Sequence, residues 1–182
     1  MTTVAETRTS LPAGTWKVDA THSHVGFAVE YMGGTFRGTF SPVEATLDVA
    51  EDGTATLAGS APVNGIKVQD ETLTAHLQSP EFFDAERTPE IAFRSTQIER
   101  SGSEVTVAGT LQIRDVERPV VLTGSIGEPA DDPFGGVRFL LSLETTVDRT
   151  GFGLEWNIQL PDGEPALADD VTVTAELYLV KA

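Results

Sequence analysis

His24-Val25-Gly26-Phe27-Ala28-Val29-Glu30-Tyr31 is the stretch whose reading decides the fold class. Successive side chains on an extended strand point to opposite faces, so Val25, Phe27, Val29 and Tyr31 share one apolar side. The same period of two returns along the chain, first at Val43, Ala45, Leu47 and Val49, then at Ala55, Leu57, Gly59 and Ala61, and at Ile91 and Phe93. It continues through Val105, Val107, Gly109, Leu111 and Ile113, then Val120 and Leu122, then Val137, Phe139, Leu141 and Leu143. Val171, Val173, Ala175, Leu177 and Leu179 complete it. The chain is therefore expected to be all-β, with one buried face per strand. Glu51-Asp52-Gly53, Ser101-Gly102-Ser103, Asp131 to Gly136 and Asp162-Gly163 are turn signals short enough to pair neighbouring strands antiparallel. About eight or nine strands in up-and-down order fit either a two-sheet sandwich or a closed barrel. Closure removes exposed edges, and glycines at the inward positions 38, 59, 109 and 124 suit barrel corners, so the barrel is favoured.

One segment departs from the period of two. Leu73 and Leu77 stand four apart behind Asp70-Glu71, where carboxylates favour a helix N-terminus, so a short helix is expected over 70–77. It leads into Ser79-Pro80-Glu81-Phe82-Phe83-Asp84, whose paired phenylalanines need cover. The open end of a barrel supplies that cover, which makes the insertion at 70–84 a lid.

Twelve Lys and Arg against 28 Asp and Glu leave a formal net charge of −16. Such a chain is repelled by phosphate backbones and anionic membranes unless its bases cluster, and they do not, so no nucleic-acid partner is expected. Forty per cent hydrophobic residues is too apolar for a disordered polyanion, and the length suits one domain over 14–182 behind a flexible segment, 1–13. No cysteine is present, which excludes disulfides, thiol catalysis and Cys-ligated zinc. The N-terminus lacks the apolar run of a secretory signal, and no apolar stretch of about 18 residues occurs, so a cytoplasmic protein without membrane insertion is expected.

Five motifs then become specific. Trp16 to Phe27, carrying Asp19-Ala20-Thr21-His22-Ser23-His24, with Gly38-Thr39-Phe40, is the first. His76-Leu77-Gln78-Ser79-Pro80-Glu81-Phe82-Phe83-Asp84 leading to Pro89 and Phe93 is the second; Gly109-Thr110-Leu111 running to Arg118-Pro119-Val120 is the third. Asp132-Pro133-Phe134-Gly135-Gly136 and Val147 to Asn157 follow. In order and spacing, over about 14–180, these resemble the YceI-like family of polyisoprenoid-binding proteins. The resemblance implies an extended, eight-stranded lipocalin-like barrel around an apolar tunnel that holds a polyprenyl chain, often with a quinone or phenol head. It also makes a homodimer an expectation. The chain departs from the family pattern at Leu73 and Thr74, where many members carry Arg-Asp, at Tyr31, where many carry His, and at Asp115 and Glu117, where Gly and Thr are usual.

With that family in view, Phe27, Val29, Tyr31, Phe40, Phe82, Phe83, Phe93, Leu111, Phe139 and Leu141 are the candidate tunnel lining, against the alternative of a filled core. His22 is the candidate head-group contact, with a hydrogen-bonded strand start as its structural alternative. His22, His24 and His76 together make a weaker zinc candidate, without a fourth ligand, and no metal or cofactor other than a bound isoprenoid or quinone-like lipid is expected. Asp148-Arg149 reads as a pair that steers a ligand or, better, one that fixes a bend. Trp16 and Trp156 read as plugs at the barrel ends. No Ser-His-Asp elbow or phosphate loop is present.

The function expected is sequestration or carriage of a long-chain isoprenoid lipid, without catalysis. Roughly 0.8 kcal/mol per buried methylene gives a polyprenyl tail ample transfer free energy without polar contacts. Two other readings stay open. One is a barrel enzyme of isomerase or cyclase type with Tyr31 or His22 moving the proton. The other is a protein-interaction β domain with an ordinary filled core.

Overall fold

The computed structural model describes residues 10–182. The expected flexible segment 1–13 therefore lies mostly outside the described residues. Of its last part, Leu11 packs against the core, and the Ser10 carbonyl accepts from Arg100 Nη1 at 3.1 Å.

Twelve strands follow in chain order: β1 (Gly14–Val18), β2 (His24–Tyr31), β3 (Gly34–Phe40), β4 (Glu44–Val49), β5 (Ala55–Pro62) and β6 (Ile66–Lys67). After the helix α1 (Glu71–Gln78) come β7 (Glu90–Ser101), β8 (Glu104–Ile113), β9 (Val116–Ile126), β10 (Ala130–Asp131), β11 (Val137–Asp148) and β12 (Leu167–Lys181). They close into an antiparallel barrel of eight staves. Four staves are single strands, and four are interrupted pairs: β1 with β2, β3 with β4, β5 with β6, and β9 with β10.

Closure rests on β12. One edge pairs with β11 from Arg138↔Val180 to Asp148↔Asp170, and the other carries β1 and then β2. Where β1 gives way to β2 the ladder is maintained by a side chain. Asp19 N–H donates to the Tyr178 carbonyl at 2.8 Å, and Tyr178 N–H donates to Ser23 Oγ at 2.9 Å. Ser23 is buried for this reason, its hydroxyl standing in for a missing backbone acceptor. The β9–β11 seam is paired only from Leu141↔Ile126 to Glu144↔Thr123. Beyond that, a 3₁₀ turn at Arg149–Phe152 lies against β9, held by Arg118 Nε donating to the Gly151 carbonyl at 3.0 Å and Arg114 Nη1 donating to Gly153.

The core divides into two clusters stacked along the barrel axis. At the end that holds β1 and the C-terminus of β12, Trp16, Leu47, Val107 and Leu179 are almost fully buried. Trp16 meets Phe139 edge-on at 4.7 Å between centroids and donates its indole N–H to the Pro12 carbonyl at 3.0 Å, so it plugs this end as its sequence position suggested. The other cluster gathers Val29, Phe40, Leu77, Phe82, Phe152 and Leu154 beneath α1 and the loop that precedes β12.

Candidate functional site

The second cluster is hollow: its residues wall a lumen instead of filling the barrel. A cavity of about 330 Å³ runs from α1 down to Leu57, Leu122, Leu143 and Leu177, and its wall is almost wholly apolar. On β12 its lining runs from Leu167 to Leu177, and the seven residues from Val171 to Leu177 alone cover roughly 20 Å of strand.

Glycine makes the hollow possible. Phe27 lies across from Gly38, and a Cβ there would fall 2.5 Å from its ring. The Phe93 ring covers Gly109 in the same way, a Cβ standing 2.6 Å from it. Both rings therefore lie flat against the wall, where any larger residue would push them into the lumen.

Phe27, Val29 and Phe40 on β2 and β3 line this cavity, as do Phe93 on β7 and Leu111 on β8. Tyr31, the last residue of β2, reaches it from the rim. Phe82 and Phe83 cover it from the segment after α1. Phe139 and Leu141 do not line it. Both face inward but stand below the floor, in the filled end, 3% and 2% exposed. Alternation marks an inward position without giving its height along the axis, which is why these two shared a pattern with true lining residues.

The cover is built locally. Asp70 accepts from Leu73 N–H at 2.9 Å and caps α1, as the acidic start of the segment implied. Leu73, His76 and Leu77 then share one helix face and look into the cavity. After α1 the chain wraps tightly: Phe83 N–H donates to the Leu77 carbonyl at 3.0 Å and Asp84 N–H to Ser79 at 2.9 Å, with Asp84 at φ 53. That wrap aims both phenylalanines inward.

His22 is placed elsewhere. It precedes β2, whose length of about 23 Å separates it from Tyr31, so neither a head-group contact in this cavity nor the moving of a proton there is available to it. Its Nδ1 is 2.6 Å from Asp19 Oδ2, and Arg138 bridges Asp19 at 3.1 Å to Asp132 at 2.9 Å. The hydrogen bond from His22 is the main influence that holds the Asp19 carboxyl below the usual range. For Asp132 the Gly136 N–H leads, with Arg138 and Phe134 N–H adding to it, and Arg138 is raised in turn by Asp132. Two of the sequence motifs, Asp19 to His24 and Asp132 to Gly136, thus meet in one clasp at the filled end.

The histidine at the cavity is His76. Its ring stands edge-on to Phe82 at 5.0 Å and to Trp156 at 5.2 Å, and its Nε2 pairs with Glu81 Oε2 at 2.5 Å. Trp156 plugs the hollow end as Trp16 plugs the filled one. The sequence held the signal for His76, since it shares the i, i+3, i+4 face of Leu73 and Leu77. Each histidine faces a different carboxylate, His24 meeting Glu176 at 3.9 Å, and no group of metal-ligating residues occurs among the described residues.

Arg149 is buried beneath the loop that precedes β12. Its guanidinium donates to the carbonyls of Ala168 at 2.8 Å, Trp156 at 2.9 Å and Leu154, and its nearest carboxylate is Asp169 at 3.6 Å. Asp148 bonds instead to the N–H and hydroxyl of Thr150. The two neighbours fix the bend separately, not as a pair.

Comparison with known proteins agrees with this architecture. The family model described as the YceI-like domain matches residues 16–179. The chain belongs to the YceI-like family. It is 27% identical over 158 residues to Protein YceI of Salmonella arizonae, covering 84% of this chain and 77% of that one. Among solved structures it superposes on Burkholderia cenocepacia BcnA with a TM-score of 0.71 at 18% identity, covering 91% of this chain and 99% of that one. The Campylobacter jejuni YCEI protein gives a TM-score of 0.67 at 23% identity, with 80% and 84% covered. A polyisoprenoid-binding domain from Saccharophagus degradans, implicated in plant cell wall breakdown, gives 0.65 at 11% identity, with 92% and 98% covered. These likenesses share the fold. For a YceI-like chain the hollow half of the barrel is the feature that function must explain.

Proposed function

We propose that this protein binds a long-chain isoprenoid lipid, a polyprenyl quinone or related amphiphile, in the hollow half of its barrel and carries or stores it without chemical change. The observation that carries this reading is the apolar cavity closed by α1 and its two phenylalanines. Its volume of about 330 Å³ falls within the range of small-molecule sites, roughly 300–1,000 Å³. Water gains little in a lumen with so few polar partners, whereas a hydrocarbon tail gains about 0.8 kcal/mol per methylene. The Saccharophagus degradans domain, a polyisoprenoid binder by name, supports the choice of tail.

Orientation follows from the walls. His76, Tyr31 and Trp156 line the mouth together with the buried Arg149, which donates to the Trp156 carbonyl, so the ligand's polar end sits there and its tail points to Leu143 and Leu177. The nearest acid–base couple, His76 with Glu81, is engaged with itself, which favours holding a head group over turning one over.

The test is native mass spectrometry of the purified protein with an organic extract of the same sample, beside the variant Ala175→Phe, which fills the lumen from β12. Wild type should carry an extractable polyprenyl compound that the variant lacks, with unchanged far-UV circular dichroism. A full complement of ligand in Ala175→Phe would defeat the assignment, as would a wild type that takes up neither geranylgeraniol nor a prenylated quinone.

A further inference from the structure

Five large apolar side chains are exposed among the described residues, and three of them stand together at the cavity mouth: Tyr31 at 38%, Met32 at 59% and Ile158 at 45%. Backbone hydrogen bonds join them. Met32 N–H donates to the Ala166 carbonyl at 2.9 Å, and Ala166 N–H donates to Ile158 at 2.8 Å. Tyr31 lines the cavity, and so does Trp156, two residues before Ile158. The tip of the β2–β3 hairpin and the small hairpin at 158–166 thus form a rim continuous with the lumen.

Met32 sits there against its own backbone preference. It occupies φ 49 and Gly33 occupies φ 83, the positive-φ pair of a two-residue hairpin turn. That turn favours Asn or Asp before Gly, because their short polar side chains tolerate the left-handed region. Solvation at an exposed tip favours them too. An apolar side chain is kept at a position where both backbone and water prefer asparagine.

The rim is collared by acid: Glu30, Glu155, Asp162 and Glu164 are all exposed, and Arg37 is the basic residue of the β2–β3 hairpin. Resting on the reading that the cavity holds a lipid, we propose that this rim docks the mouth on a zwitterionic lipid bilayer, where ligand passes between membrane and lumen. Choline and ethanolamine headgroups present their ammonium outermost, which complements the acidic collar, whereas an anionic surface repels it. Tyr31 and Trp156, apolar with one polar edge each, suit the headgroup boundary. Three side chains fall far short of the roughly 800 Å² per partner that a specific protein interface buries, which argues against a second copy as the occupant.

The test compares the full-length wild type with Met32→Asn/Ile158→Asn. Flotation with phosphatidylcholine vesicles should carry wild type upward and the double variant about tenfold less. Replacing half of the lipid by phosphatidylglycerol should weaken wild-type flotation, and added salt should restore it. The variant's melting temperature should be unchanged or raised, since asparagine fits the turn. Geranylgeraniol delivered from cyclodextrin, read by Trp fluorescence, should load both proteins equally, while loading from vesicles should slow only in the variant. Equal flotation of the two proteins, or none by either, with normal cyclodextrin loading would overturn the docking proposal and leave the cavity reading intact. A wild-type dimer that Met32→Asn/Ile158→Asn dissolves would overturn it in favour of self-association. Absence of cyclodextrin loading in wild type would overturn the cavity reading, and the proposal with it.

Discussion

At the scale of single residues, the two charged clusters do different work. Burial pushes the Arg149 guanidinium below its ordinary value, and the carbonyls around it provide the compensation that lets it stay charged. Arg149→Met should therefore cost about 3 kcal/mol in urea unfolding, since it orphans several carbonyls at once. Arg149→Lys should recover little, because an ammonium cannot reproduce the planar fork; a lysine variant as stable as wild type would show that the fork is not what matters. The Asp19–Arg138–Asp132 clasp contributes through pH. Both carboxyls are held below the ordinary Asp value of about 3.9, so their contribution is complete above that pH and is lost as pH falls through their lower folded values. In melts of wild type against Asp132→Asn, the stability gap should be full at pH 6 and narrow below about pH 4. A gap that widens on acidification would contradict the direction of those shifts.

At the scale of elements, α1 and the turn after it determine what stays inside. Phe83 meets Phe40 edge-on at 5.4 Å, so the cover is keyed to the β3 wall by aromatic contact. Phe82→Asp and Phe83→Asp should each reduce retention of a bound long-chain ligand severalfold or more, read as the rate of ligand loss to excess empty vesicles, while Glu51→Ala in a distant turn leaves it unchanged. Equal retention in all three would mean that the segment over 70–84 is not a cover. The elements themselves were legible in the sequence where one physical pattern ruled. Strands such as β4 and β11 announce themselves by alternation, and α1 by its acidic cap and leucine spacing. The interruptions were not legible, because Asp19 to Ser23 continues the sheet through a serine hydroxyl, and no period records a side chain replacing a backbone acceptor. Site residues were legible as inward and no further. Phe93 and Phe139 read alike until the register shows one above Leu143 and the other below it.

At the scale of the whole molecule, the barrel divides stability from capacity. A lining side chain in the hollow half lacks partners on one side and has already lost part of its packing, so truncating it removes less than truncating a residue in the filled half. Leu47→Ala, at 1% exposure in the filled end, should cost about 3 kcal/mol or more, and Leu111→Ala, partly buried on the cavity wall, clearly less. Ligand should then act on the balance between the halves. A molecule that binds only the folded barrel raises its stability by RT ln(1 + [L]/Kd), about 2.7 kcal/mol at a hundredfold excess over Kd. It also restores contacts to the wall, so Leu111→Ala should cost more with geranylgeraniol bound than without it, while the cost of Leu47→Ala stays constant. Urea titrations of the three proteins, each with and without the alcohol, measure both differences. If ligand left the cost of Leu111→Ala unchanged while stabilising wild type, the tail would have to lie away from β8, and the lumen between Phe93 and Leu143 would no longer be its path.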